Sequence, residues 1–186
     1  AGTVGFPLSG VELKITDPET GKALPKGEIG LIEVRGENVF QGYWNMPEKT
    51  KEDLREDGFF ITGDLAKYDA DGYVTIVGRQ KDLIISGGFN VYPKEIETVL
   101  DDQADVKESA VVGLEHPDFG EGVVAFVVMQ EWAAVNEDQL IAALGQELAK
   151  YKTPKRIIAL EELPRNTMGK VQKNVLRDGY RELFLN

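Results

Sequence analysis

Apolar and polar residues alternate along Val11-Glu12-Leu13-Lys14-Ile15, the period of a half-buried strand. Asp17-Pro18-Glu19-Thr20-Gly21 follows with residues that favour a turn. Gly30 to Gly36 predicts a second strand, and Tyr73 to Gly78 another, leaving the turn Asp69-Ala70-Asp71-Gly72. Pro47 to Glu56 breaks the pattern. Its Glu, Lys and Leu spacing predicts a short helix with Pro47 in the first turn. Residues 1–80 are therefore expected to form a small, curled, β-barrel-like unit of mostly antiparallel strands.

The pattern then changes. Pro93 to Leu100 predicts a helix with Ile96, Val99 and Leu100 on one face. Ser109 to Gly113 and Gly122 to Met129 are apolar, β-branched runs that predict strands. Glu137 to Lys150 carries Leu140, Ile141, Leu144 and Leu148 at helical spacing, with Asn136 placed to cap the helix. Arg156 to Leu160 predicts a short strand, and Val171 to Phe184 starts as loop or helix and ends helical. Residues 81–186 thus predict a mixed α+β domain, a small antiparallel sheet with helices. The overall class is α+β, with the boundary near Gly78-Arg79-Gln80-Lys81-Asp82.

A length of 186 residues suits one ordinary domain or two small ones. The absence of Cys excludes a disulfide framework, a Cys-ligated metal and a thiol nucleophile, and fits a cytoplasmic protein. The single histidine, His116, offers no paired imidazoles and reads as a loop residue before Pro117. The net charge of −11 argues against nonspecific nucleic-acid binding. That charge is unevenly spread. Residues 82–149 hold 2 basic and 14 acidic groups, whereas residues 150–186 hold 9 and 4. The basic end either faces an anionic ligand or balances the acidic segment. No run of about 18 apolar residues predicts a membrane span. The start, Ala1-Gly2-Thr3-Val4-Gly5, has neither an initiator Met nor a leader pattern and suggests a chain that begins inside a longer protein.

Three segments carry candidate chemistry. In Gly58-Phe59-Phe60-Ile61-Thr62-Gly63-Asp64, an apolar run ends in a glycine and a carboxylate. Asp64, placed after a strand and a tight turn, would suit ribose hydroxyls, although for the segment taken alone a simple Asx turn is the more ordinary account. In Gly78-Arg79-Gln80-Lys81-Asp82, the Arg79 fork suits oxygen-rich ligands. The same segment leads on to Ser86-Gly87-Gly88-Phe89-Asn90, where paired glycines permit close backbone approach. In Pro164-Arg165-Asn166-Thr167-Met168-Gly169-Lys170, a lysine follows a glycine in an exposed, mobile loop. Its charge would reach a developing anion, though most such lysines are inert. Neither a dinucleotide fingerprint nor a Walker loop is present.

In order and spacing, with Gly27 to Gly30 and Gly42-Tyr43-Trp44 upstream, these segments resemble the adenylate-forming superfamily, and the acyl-CoA synthetases in particular. Asp17 to Lys22, Gly88 to Glu97 and Leu163 to Leu176 look like the malonyl-CoA synthetases. The resemblance implies a two-step ligase. ATP and a carboxylate give an acyl-adenylate and pyrophosphate, and coenzyme A then displaces AMP. It implies that Asp64 holds the nucleotide ribose with help from Arg79, that Asn90 lies near the nucleotide, and that Lys170 stabilises charge as the adenylate forms. Acylation of Lys170 would then silence that step by removing its charge. Lys81 would be the hinge about which a mobile C-terminal domain swings. Ser86, Gly87 and Gly88 would line the pantetheine tunnel. Phe119, Lys152, Lys155 and Arg156 would meet coenzyme A. Tyr151 is expected in the core or at the rim.

The family's Ser-, Thr- and Gly-rich phosphate loop, its Mg2+-binding Glu and its acyl pocket would lie upstream of residue 1. The 186 residues are therefore expected to fold without catalysing the reaction. The partners expected are a small carboxylate, ATP, coenzyme A and the N-terminal remainder of the enzyme. Two other readings stay open: an adenylation enzyme that loads a carrier protein, and a stand-alone nucleotide- or CoA-binding module.

Overall fold

The structure, a computed structural model, describes residues 2–185. The chain forms two compact units, one ending at Lys81 and the next beginning at Asp82.

In the first unit, β1 (Glu12–Thr16), β2 (Gly30–Arg35), β3 (Phe60–Tyr68) and β4 (Val74–Arg79) form an antiparallel sheet in that order. The helix α1 (Pro47–Asp53) fills the β2–β3 connection. Ile15, Ile32, Ala66 and Val74 form the core, flanked by Leu13, Leu24, Val34 and Tyr68. The sheet stays open, and its curl comes from two irregularities rather than from closure. Register shifts between Leu31 and Glu33 on β2, and between Leu65 and Ala66 on β3. An extra residue on one strand bends it and increases its twist. Trp44 lies outside this core and is 89% exposed.

In the second unit, β5 (Ile84–Ser86) and β6 (Phe89–Val91) make a hairpin, followed by α2 (Pro93–Asp101). The long strands β7 (Val106–His116) and β8 (Gly120–Met129) pair along almost their whole length. α3 (Glu137–Glu147), β9 (Arg156–Ala159) and α4 (Lys173–Tyr180) complete the unit. The sheet runs β6-β5-β8-β7, with β9 also on β8. β9 is parallel to β8, in a sheet whose other pairings are antiparallel. The cause is α3. Its Asn136 cap accepts the Gln139 N–H at 3.1 Å, and the helix returns the chain across the sheet, so the next strand must run the same way.

β8 is buried on both faces, which explains its unbroken apolar run. Val123, Ala125 and Val127 pack with Ile96, Leu100, Leu140, Leu144 and Ile157. Val124, Phe126 and Val128 pack with Ala110, Val112, Leu114, Leu163 and Leu176. Glu97 joins elements across the unit. Its Oε1 accepts the Val111 N–H at 2.9 Å and a bond from Lys173 Nζ at 2.6 Å. Trp132, in the β8–α3 connection, is 76% exposed. Among the described residues no helix is long and apolar enough to cross a membrane.

Candidate functional site

Asp64 and Arg79 face each other as register partners on β3 and β4. Arg79 Nε donates to Asp64 Oδ1 at 2.8 Å, and Arg79 Nη1 donates to the Thr62 carbonyl at 3.4 Å. Asp64 does not follow a strand, as its sequence context suggested. β3 continues through it, paired to β4 at Asp64 and to β2 before and after the Leu31–Glu33 irregularity. Gly63, at φ +74°, kinks the strand just before it. Thr62 Oγ1 braces the kink, donating to the Ile32 carbonyl at 3.1 Å and accepting the Asp64 N–H at 3.1 Å.

Arg79 lines a cleft of about 440 Å³ together with Tyr43, Lys49, Asp53, Phe60 and Lys81. The Phe40 ring packs edge-on against Tyr43 and Phe60, at 4.9 and 5.1 Å between centroids. The result is an aromatic wall in the cleft that the Arg79 guanidinium also lines, apolar on one side and able to donate to oxygen acceptors on the other. Lys81 lies exposed on the single helical turn Gln80–Asp82. On the second unit's side of that turn, Asp82 Oδ1 accepts from Arg177 Nη2 at 2.7 Å.

In the second unit, Gly87 and Gly88 form the two-residue turn of the β5–β6 hairpin, at φ +58° and +81°. Two consecutive positive φ values match the twist of tight hairpins, and glycine takes them without strain. Ser86, just before the turn, is buried and pairs with Gly120. The Gly87 N–H donates to the Phe119 carbonyl at 2.8 Å, and a Cβ on Gly87 would lie 3.4 Å from the Phe119 ring. Lys155 Nζ sits over that ring, 4.2 Å from its centroid. Gly87, Phe119 and Lys155 therefore converge.

The other residues named for coenzyme A do not join this cluster. Lys152 Nζ bonds both Glu95 carboxylate oxygens, at 2.6 and 2.8 Å. Arg156 Nε bonds Glu137 at 3.0 Å. Asn90 is exposed on β6, opposite Ile85. Tyr151 stacks on Phe89 at 4.7 Å. His116 ends β7 between the rings of Phe119 and Phe184, and its Nδ1 accepts the Asp118 N–H at 3.1 Å. Burial pushes the Tyr92 phenol up, with a hydrogen bond from the Asn90 side chain acting against it.

Lys170 stands on an ordered turn and not on a loose loop. Arg165 and Val171 form a β-bridge, and the Asn166 N–H donates to the Lys170 carbonyl at 2.9 Å. Asn166 Oδ1 accepts the Met168 and Lys170 N–H groups at 3.0 and 2.9 Å. Gly169 turns the chain at φ +78°. The Lys170 side chain is exposed, and its ammonium has no partner among the described residues. Sequence reasoning missed the anchors. Asn at the start of a turn with Gly three residues on is a readable turn signature. Glu108, which pairs with Arg165 from 57 residues away, leaves no local trace. Among the described residues no group of three or more His, Cys, Asp or Glu side chains could hold a metal.

Comparison with known proteins agrees with this architecture. Residues 95–170 match the AMP-binding enzyme C-terminal domain, and residues 1–44 match the AMP-binding enzyme family. The chain is 44% identical over 172 residues to the sulfoacetate–CoA ligase of Cupriavidus necator, covering 92% of this chain and 33% of that one. It is 41% identical over 178 residues to the long-chain-fatty-acid–CoA ligase of Salmonella typhimurium, covering 96% and 31%. ATP-bound MatB from Rhodopseudomonas palustris shares 60% identity and superposes with a TM-score of 0.94, covering 98% of this chain and 36% of that one. The fold and the matched segments are those of the adenylate-forming enzymes, and the chain belongs to that superfamily. The chain spans about a third of the length of these relatives.

Proposed function

We propose that this chain supplies the nucleotide-clamping sheet, the hinge and the mobile catalytic domain of an AMP-forming acyl-CoA synthetase acting on malonate. In the first step a carboxylate oxygen attacks the α-phosphorus of ATP. The acyl-adenylate forms and pyrophosphate leaves. In the second step the coenzyme A thiolate attacks the acyl carbonyl and AMP leaves. Asp64 and Arg79 hold the ribose, with Asn90 near the nucleotide. Lys170 meets the charge that develops in the first step. Lys81 is the pivot between the two steps. Ser86, Gly87 and Gly88 guide the pantetheine arm, and Phe119 with Lys155 meets the adenine and phosphates of coenzyme A. Lys152 and Arg156 contribute there only after leaving Glu95 and Glu137. The phosphate loop and acyl pocket come from the remainder of the enzyme, so the 186 residues alone give no turnover. The setting is cytoplasmic.

The observation that carries this reading is Lys170, an unpaired cation at the tip of a pinned turn. Malonate is supported by the 60% identity to MatB and by the three segments that resemble malonyl-CoA synthetases. The test uses the complete enzyme and malonate-dependent exchange of pyrophosphate into ATP. Lys170→Ala lowers the exchange rate by a factor of about 100 or more, the scale of losing one preorganised electrostatic group. Unchanged exchange sinks the assignment. In parallel, kcat/KM is measured for malonate, sulfoacetate and a long-chain fatty acid. Malonate ranks first, and any other order overturns the substrate.

A further inference from the structure

Lys170 is joined to Gly169 by one peptide group, and that group is gripped at both ends. Its carbonyl, on Gly169, accepts from Arg165 Nη1 at 2.6 Å. Its N–H, on Lys170, donates to Asn166 Oδ1 at 2.9 Å. The two gripping side chains are consecutive in sequence. Arg165 is held in turn by Glu108 on β7, through Nη2 and the Glu108 carboxylate. Glu108 comes directly after a register irregularity in the β7–β8 pairing, between Val106 and Glu108. Such a bulge re-aims the side chains beside it.

This arrangement is poorly explained as a device for stability. Arg165, Gly169 and Lys170 are all exposed, and an exposed ion pair adds little to folding. It is well explained as a device for aim. Glycine leaves the chain free at the residue before the lysine, and the lysine stem adds four rotatable bonds. Fixing the last peptide plane removes the first source of spread and leaves only the second.

We infer that Arg165, anchored by Glu108 and assisted by Asn166, is a positioning residue for Lys170. The forked guanidinium matters because it reaches the Gly169 carbonyl and Glu108 at once, which a single ammonium does not reproduce. This inference rests on the adenylation role proposed for Lys170.

The experiment uses the complete enzyme, with pyrophosphate exchange for the first step and supplied acyl-adenylate plus coenzyme A for the second. Arg165→Ala lowers kcat of exchange by about 10- to 100-fold, the range expected when a reacting group is displaced by an ångström or so. KM for ATP stays within about twofold, and the loss is confined to the first step. Arg165→Lys recovers part of the loss, and Glu108→Gln loses less than Arg165→Ala. In the Lys170→Ala background Arg165→Ala has no further effect, because nothing remains to be aimed. If Lys170→Ala leaves exchange intact, the proposed role of Lys170 fails first. If Lys170→Ala abolishes exchange while Arg165→Ala leaves kcat within twofold, the positioning inference alone is overturned. Equal loss in both steps with a lowered melting temperature also overturns it, since that marks a structural role. Should Arg165→Ala not fold, Arg165→Lys and Asn166→Ala carry the same comparison.

Discussion

Glu33 lies mid-strand in β2 with its side chain sealed from solvent, yet it bears a charge. Arg55 donates to both of its oxygens at 2.7 Å, Thr16 Oγ1 donates to Oε1 at 2.7 Å, and Lys14 Nζ lies 3.2 Å from Oε2. Burial alone would push this carboxyl up. The bonds from Arg55, Thr16 and Lys14 outweigh it and hold the group below the usual carboxylate range. A depressed folded-state value stabilises the fold above the unfolded value of 4.5, and that contribution is lost as pH falls through the lower folded value. Arg55→Ala removes two of the four contacts and should cost about 2 kcal/mol at pH 7. Urea unfolding followed by far-UV circular dichroism measures it, and acid unfolding of the variant should begin at a higher pH. The sequence offered no sign of this. Within Gly30-Leu31-Ile32-Glu33-Val34-Arg35 the alternation assigns Glu33 to the solvent face, and its covering arginine lies 22 residues away.

The β5–β6 hairpin shows the same limit for a pair of strands. Each has three residues, too few for a period to register, and the glycines between them read as a passage for a ligand. They are first of all a turn. These two roles separate in one variant. Asn takes positive φ more readily than other side chains and is favoured at the first turn position before Gly. Gly87→Asn should therefore keep the hairpin, with a melting temperature within a few degrees of the parent, while placing a side chain against Phe119. In the complete enzyme its thioester step should fall at least about tenfold with adenylate formation retained, the scale of about 1.4 kcal/mol. An unaffected thioester step would leave the glycines with the turn alone. β7 and β8, by contrast, were legible from their apolar runs. The direction of β9 was not, because alternation along four residues carries no polarity.

Charge was legible in amount and not in use. The acidic stretch 82–149 and the basic stretch 150–186 fold into one unit, where the second offsets part of the charge of the first. Lys152, Arg156, Arg165, Lys173 and Arg177 pair with Glu95, Glu137, Glu108, Glu97 and Asp82. Most of the basic end therefore balances the acidic segment. Lys150, Lys155 and Lys170 form no ion pair among the described residues, and the proposed chemistry assigns anions to the last two without a pair having to break first.

The chain has two tryptophans, one in each unit, and both stand almost wholly in water. The folded protein should therefore fluoresce like free indole, with red-shifted emission. Acrylamide should quench it about as strongly in buffer as in urea, and markedly weaker quenching in buffer would contradict the exposure of these rings. Heat or denaturant would then unfold the 186 residues with little change in colour. Trp44 and Trp132 become useful reporters only when something covers them. A blue shift on adding the rest of the enzyme, retained in Trp132→Phe, would show that the Trp44 face had been enclosed.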